Sequence, residues 1–132
     1  MARPSSLSAP SQELVLTALR KHKTPMTAYS LLEKLKKMGI KSPPIIYRAL
    51  EGLMQTGAVH KIKALNAFIA CNCAASHQHA LSVLTVCHSC ESVEELHDHL
   101  VIDHLEKLRK HGVPIQDHAV IELPITCVSC TA

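Results

Sequence analysis

The sequence predicts an α+β chain in which an N-terminal winged helix-turn-helix (residues 1–72) precedes a small α/β dimerisation domain (residues 73–132) stapled by a four-cysteine zinc site. Three observations support this fold class. The first half contains three helical stripes of apolar residues separated by turn signals. Two short β-prone runs follow at hairpin spacing. The second half contains two Cys-x-x-Cys pairs, a spacing typical of structural zinc sites.

Composition narrows the class of protein. The chain has 132 residues and a net charge of +3, which is too mild to indicate a nucleic-acid partner by itself. Ten histidines and six cysteines indicate metal binding. No apolar run approaches the roughly 20 residues of a membrane span, and no secretory signal opens the chain. We therefore expect a cytoplasmic protein that does not bind membranes.

The first two helices are predicted from periodicity and caps. Residues 1–11 read as a loose lead-in, and apolar residues at helical spacing follow over 12–21. Thr27 is a suitable N-cap for the second helix, and Gly39 is a suitable terminator. The basic outer face of this second helix is typical of a solvated surface.

The third helix is the candidate DNA-reading element. Ser42 can cap it, and Pro43 occupies the first turn, where a missing N–H costs no hydrogen bond. A buried stripe is predicted at Ile46, Ala49, Leu50 and Leu53, and Gly57 is expected to end the helix.

Three outward residues of this helix suit a major groove. Arg48 can pair with a guanine edge or a phosphate, and Tyr47 and Ile45 can touch thymine methyl groups. Residues 58–62 and 66–70 then predict a hairpin, the wing of a winged helix. A plain helical bundle with an arginine on its surface remains the alternative at this point.

The four paired cysteines, Cys87, Cys90, Cys127 and Cys130, can place four thiolates around one ion. This is the closed ligand set of a structural zinc site. Disulfide pairing is the competing interpretation, although a cytosolic protein keeps its thiols reduced. A redox dithiol would need only one of the two pairs.

The remaining elements of the second half form a strand-helix-strand pattern. Residues 81–86 are β-prone, Ser92 can cap a long helix that reaches His111, and residues 119–123 are β-prone again. This arrangement leaves one sheet edge and one helix face open, so we expect a symmetric partner subunit.

The chain resembles the ferric-uptake-regulator (Fur) family from about Pro10 to Cys130. Residues 43–50 (PPIIYRAL) are similar to the family's recognition helix, which typically contains Thr-Val-Tyr-Arg. The other shared marks are Val59–Lys61 in the wing, the two cysteine pairs, and His118–Glu122. Within the family the likeness is to the zinc-uptake regulators, because of Cys71 behind the wing.

The resemblance implies a homodimer that binds pseudo-palindromic, double-stranded operator DNA in response to a metal ion. Lys61 would position the DNA backbone. Three departures from the family pattern stand out. The usual Leu-Thr-x-Gln-Arg opening is reduced to Ser8–Gln12, the extra leading helix of many members is missing or short, and Ile125 replaces a usual glycine.

The predicted sensing ligands are His60, Cys71, His79 and Glu95, with Glu95 expected at the start of the long helix. A thiolate with two imidazoles and a carboxylate favours tetrahedral Zn²⁺, whereas the family's iron-type site uses histidine and carboxylate alone. Cys73 and His77 are near enough in sequence to replace Cys71 and His79. His77 with His118 is a possible further, weaker site.

Two classes of function remain in competition. The first is a zinc-responsive repressor of metal-uptake genes, with an iron- or other-metal-responsive regulator as the runner-up. The second is a zinc-binding carrier or enzyme. The chain contains no His-Glu-x-x-His, deaminase or phosphate-loop motif, and a winged helix has no role in a carrier. We therefore predict a regulator and not an enzyme.

Overall fold

The computed structural model describes residues 3–71 and 81–131, with side chains described from position 10 onward. The chain divides into two compact units, Met1–Cys71 and Asn72–Ala132. The first unit contains α1 (Arg3–His22), α2 (Ala28–Leu35), a 3₁₀ turn (Lys36–Met38), α3 (Pro43–Gln55), β1 (Val59–Ile62) and β2 (Ala67–Ala70). The second contains β3 (Leu81–Cys87), β4 (Val93–Leu96), α4 (His99–Lys110), β5 (Ala119–Ile125) and α5 (Val128–Thr131).

Helix α1 begins much earlier than predicted. The expectation of a loose lead-in over residues 1–11 is wrong, because the backbone is already helical from Arg3. Pro4 lies in the first turn, where the absence of an N–H breaks no intrahelical bond. Pro10 lies inside the helix, where it removes one intrahelical hydrogen bond. The helix nevertheless continues to His22.

Helix α2 follows its predicted N-cap, and α3 follows its predicted buried face. The Thr27 hydroxyl accepts a hydrogen bond from the Ser30 N–H at 3.1 Å, and Gly39 ends the following 3₁₀ turn with φ of 98°. Ser42 stands at the N-cap position of α3, with proline in the first turn, but its side chain makes no capping hydrogen bond. The helix ends at Gln55, two residues before the predicted terminator Gly57. The stripe predicted to be buried on α3 is confirmed at Ile46, Ala49, Leu50 and Leu53.

A single apolar cluster holds the first unit together. It buries residues from all three helices and from the wing. Its fully buried large side chains include Val15, Leu19, Leu31, Leu35, Ile46 and Leu50. Packing along its inner face therefore holds α3 in the unit, while the side chains of its outer face stay exposed to solvent.

The wing is an antiparallel pair in which His60 lies opposite Ile69 and Lys61 opposite Phe68. Met26, just before α2, exchanges two backbone hydrogen bonds with Phe68, at 2.9 and 2.8 Å. This bridge attaches β2 to the segment that leads into α2. The wing is thus anchored to the helical part of the unit by hydrogen bonds as well as by its apolar side chains.

The second unit is a three-stranded sheet in the order β4-β3-β5. Strand β3 pairs antiparallel with β4 and parallel with β5. The prediction of a helix running from Ser92 to His111 is wrong in its first part, because Val93–Leu96 forms β4 and α4 begins only at His99. The Asp98 carboxylate caps α4 by accepting from the Leu100 N–H at 2.9 Å. Glu95 consequently lies on a strand, not on a helix.

Burial in the second unit is concentrated on one strand. Among the described residues of this unit, the buried ones all lie on β3. Helix α4 and strand β5 contain no buried residue, and Leu100 on α4 is 72% exposed. The unit therefore presents apolar side chains of α4 at its surface. None of the described helices is long and apolar enough to cross a bilayer.

Candidate metal centre

The parallel pairing of β3 with β5 brings the two cysteine pairs together. The register places Cys87, the last residue of β3, beside Ile125, the last residue of β5. Each strand then leads into its own Cys-x-x-Cys turn at the same end of the sheet. As a result, the Sγ atoms of Cys87, Cys90, Cys127 and Cys130 all lie within 4.8 Å of one another.

The sulfur spacing matches the size of a zinc ion. A tetrahedral site with Zn–S bonds of about 2.3 Å has S···S edges of about 3.8 Å. Cys90 Sγ and Cys127 Sγ are 3.6 Å apart. Four sulfurs within 4.8 Å of one another, contributed by two tight turns, fit a closed tetrathiolate site.

The electrostatics of the cluster also favour a bound cation. The Cys127 N–H, 3.4 Å from Cys87 Sγ, is the main reason that the pKa of Cys87 falls to about 5. The Ser92 hydroxyl, 3.2 Å from Cys90 Sγ, lowers the pKa of Cys90. In contrast, the neighbouring sulfurs, that of Cys127 first, raise the pKa of Cys130 to about 12. The Cys130 thiol therefore stays protonated at neutral pH unless a positive charge lies among the sulfurs.

The turn around the first cysteine pair contains a strained residue. Glu91 follows Cys90 with φ of 63°, and its N–H bonds the Cys87 carbonyl oxygen at 2.8 Å. A left-handed conformation costs a residue with a Cβ roughly 1–2 kcal/mol. Glycine does not incur this steric cost.

We therefore predict that Glu91→Gly stabilises the zinc-loaded protein by about 1 kcal/mol, because the turn conformation is kept and the strain is relieved. Denaturant unfolding of both proteins at equal zinc measures the difference. Glu91→Ala is the matched control, since it removes the carboxylate but keeps the Cβ. Equal stabilisation by glycine and alanine would contradict the explanation.

His60 and Cys71 form a second candidate group within the first unit. The Cys71 N–H donates to the Ala58 carbonyl oxygen at 2.8 Å, which extends the β1–β2 ladder by one pair. His60 and Cys71 are then diagonal neighbours on one face of the hairpin. Both are buried, at 4% and 8% exposure. A ring nitrogen of His60 lies within 4.8 Å of Cys71 Sγ.

The other predicted ligands are placed as follows. Glu95 lies on β4 and is half-buried. His118 is half-buried just before β5, with a positive φ of 59°. Cys73, His77 and His79 lie outside the described residues.

The predicted DNA-contacting side chains are exposed in the first unit. Tyr47 is 54% exposed on the outer face of α3, and Arg48 beside it is exposed too. Ile45 is also at the surface of this helix. On the wing, Lys61 is exposed, with its Nζ 5.9 Å from the centre of the Phe68 ring.

The sequence prediction missed how unevenly charge is distributed. Residues 1–71 contain eleven Lys and Arg against three Asp and Glu, a net charge of +8. Residues 72–132 contain three against eight, a net charge of −5. The total of +3 hides this contrast, and counting charge for each predicted domain would have found it. The outward residues of α3 therefore belong to a strongly basic unit.

Comparisons of this chain with known proteins match it to one family of metal-uptake regulators. A sequence model described as the ferric uptake regulator family matches residues 8–122. The zinc uptake regulation protein of Escherichia coli K12 is 33% identical over 107 residues, which are 80% of this chain and 61% of that protein. The chain thus matches less than two thirds of that relative's length.

Two solved structures are also similar to this chain. The crystal structure of holo XcZur aligns with a TM-score of 0.76 and 35% identity, covering 93% of this chain and 85% of that one. A zinc uptake regulator complexed with zinc and DNA aligns with a TM-score of 0.76 and 28% identity, covering 93% and 82%. The predicted fold class, an N-terminal winged helix followed by a small α/β domain, is confirmed.

Proposed function

Because the chain belongs to the ferric uptake regulator family, we propose that it is a cytoplasmic, zinc-responsive repressor that binds the operators of metal-uptake genes as a homodimer. The observation that carries this proposal is the buried His60–Cys71 pair in the wing. Strand β1 thereby contains a metal-ligand candidate beside Lys61, a candidate phosphate contact. Being a member of a family of transcription regulators, the chain is not an enzyme.

The choice of zinc over iron depends on the thiol. Zn²⁺ accepts thiolate and imidazole ligands together in a tetrahedral site, whereas hard carboxylate and histidine sets suit the family's iron sites. We propose that His79 and Glu95 complete the set begun by His60 and Cys71. A His77–His118 site would be weaker, because it offers only two ligands.

The four paired cysteines are proposed to hold a second, structural zinc ion. The support is the 3.6 Å separation of Cys90 and Cys127 sulfurs and the closed set of four thiols in one unit. A closed tetrathiolate site leaves no open position for a substrate or for exchange. In this proposal the ion at the four cysteines stabilises the fold. Binding of the other ion, at the site begun by His60 and Cys71, depends on the zinc concentration.

A homodimer follows from the exposed apolar face of α4. Leu100, Val101 and Leu108 are all exposed, and no residue of this helix is buried among the described ones. A second copy of the chain would cover such a face and would present two α3 helices to DNA. A symmetric dimer reads a pseudo-palindrome with half-sites about one helical turn apart.

The proposed switch uses ligands from the first unit, from residues 72–80 and from the second unit. Occupancy of such a site would restrict the freedom of the two DNA-reading helices of the dimer and favour the spacing that fits the operator. The zinc ion would then be a ligand that binds one state of the dimer better than the other.

Specific DNA binding separates this function from its alternatives. An operator is selected from a random-sequence pool with the zinc-loaded protein and then used in gel shifts at buffered free metal. We expect binding in zinc and little binding in chelator. A zinc carrier would bind zinc without selecting any sequence. An iron sensor, whose site is built from histidine and carboxylate, would keep its metal response when Cys71 is replaced by serine.

Arg48→Ala is expected to cost about 1–3 kcal/mol of operator affinity and to relax base preference, because a guanidinium reads a base edge. Lys61→Ala is the contrasting variant, because loss of a phosphate contact weakens all sequences alike. Binding of each variant to operator and to random DNA is compared at one salt concentration. Equal losses of Arg48→Ala on both DNAs would refute base reading by this residue.

A further inference from the structure

A pair of side chains outside the four sulfurs joins the two cysteine turns. His88 lies between Cys87 and Cys90, and its Nε2 is 2.8 Å from the Thr126 hydroxyl oxygen. Thr126 immediately precedes Cys127. Each partner is therefore adjacent in sequence to a cysteine of a different turn, and the two residues are 38 positions apart along the chain.

The same two turns are also joined through the backbone. The His88 N–H donates to the Ile125 carbonyl oxygen at 3.1 Å, and the Cys127 N–H points at Cys87 Sγ at 3.4 Å. The side-chain bond differs from these because both of its residues are exposed and the bond is not part of the sheet's backbone ladder. A hydroxyl can donate to or accept from an imidazole nitrogen, so the pair can bond in either histidine tautomer.

We propose that His88 and Thr126 form a latch that holds the two cysteine turns together and slows the release of the structural metal ion. Neither residue ligates the metal. They act as positioning residues, on Cys87 and Cys127 respectively. Opening a tetrathiolate site requires the two turns to separate, and the latch must break before they do. Partners outside the ligand set commonly change metal affinity in this way.

This inference rests on the structural zinc of the proposed function but not on DNA binding. The latch sets the rate at which a strong chelator removes zinc, and this rate is measured without operator DNA. One exposed hydrogen bond corresponds to a rate change of about threefold to tenfold. A change of that size is well resolved in a kinetic trace.

The test follows zinc transfer from the full-length protein to a colour-forming chelator in excess. The slow phase reports the four-cysteine site. Thr126→Val, which keeps the shape but removes the hydroxyl, should release zinc about threefold to tenfold faster, and Thr126→Ser should resemble the parent. His88→Ala should match Thr126→Val, and the double variant should be no faster than either single one.

Several results would overturn the latch. One is a slow phase unchanged in both single variants, and another is a serine variant as fast as the valine one. Rates that multiply in the double variant would show that the residues act separately. A parent without any slow phase would overturn the four-cysteine zinc site together with the latch. Normal latch results in a protein that binds no operator would instead overturn only the regulatory function.

Discussion

Cys90→Ser is expected to unfold the second unit and to remove the tightly held zinc. Structural zinc contributes about 10–16 kcal/mol of apparent binding free energy in small zinc domains, and that energy is available only to the folded ligand set. The second unit has little else to stabilise it, because its described buried residues lie on β3 alone. Zinc content, gel filtration and limited proteolysis measure the effect.

Ser129→Ala is the matched control for this experiment. Ser129 is exposed in the second cysteine turn and is not a proposed ligand. The Ser129→Ala variant should keep the zinc content and the oligomeric state of the parent. That result would show that the turn tolerates a small substitution. A Cys90→Ser protein that is dimeric, resistant to protease and full in zinc would contradict the structural role of the four cysteines.

Cys71→Ser is expected to lose the zinc response at the free zinc that saturates the parent, while leaving the fold intact. The hydroxyl is a poor replacement for a thiolate on Zn²⁺, so the free zinc needed for operator binding should rise by more than about 100-fold, the upper range for loss of an outer-shell partner. The variant should stay dimeric and keep its structural zinc, since Cys71 belongs to the first unit. Operator binding across buffered zinc concentrations gives the result.

Cys73→Ser is the control for the choice of cysteine. Cys71 and Cys73 are separated by one position, and the thiol of either residue could ligate zinc just after the wing. We expect Cys73→Ser to respond to zinc like the parent. If Cys73→Ser loses the response and Cys71→Ser keeps it, the ligand has been assigned to the wrong residue.

Local signals in the sequence were sufficient for the cap of α2 and the buried face of α3. The Thr27 cap and the apolar stripe of α3 depend on neighbours within a few residues, and these predictions agree with the structure. The start of α1 was not predictable in the same way, because a Ser- and Pro-containing segment is tolerated at the beginning of a helix. Its composition resembles a loop although its backbone is helical.

Strand β4 was missed because its short sequence also suits a helix start. Residues 93–96 (VEEL) contain two glutamates after a capping serine, which is a helix-start pattern. Pairing with β3 overrides that preference, and Asp98 then caps α4 further along. Glu95 is therefore displaced from the helix to a strand, so its candidacy as a zinc ligand depends on its side chain and not on the predicted helix.

The metal centre shows the same division between local and long-range information. The spacing of Cys87, Cys90, Cys127 and Cys130 predicted one four-sulfur group, and the structure brings the four sulfurs together. The parallel register that places β3 beside β5 could not be read from the sequence. The contacts of His88 with Thr126 depend on that register, which is why they were not foreseen.

The most direct test of the proposed zinc switch is an operator-binding titration against buffered free zinc, with bound zinc per chain counted at each point. We predict that one ion per chain remains bound throughout and that a second ion enters as zinc rises. Operator affinity should rise with the second ion by about 5–150-fold, the usual range of coupling between two sites. Operator affinity that is the same with one and with two ions per chain would contradict it.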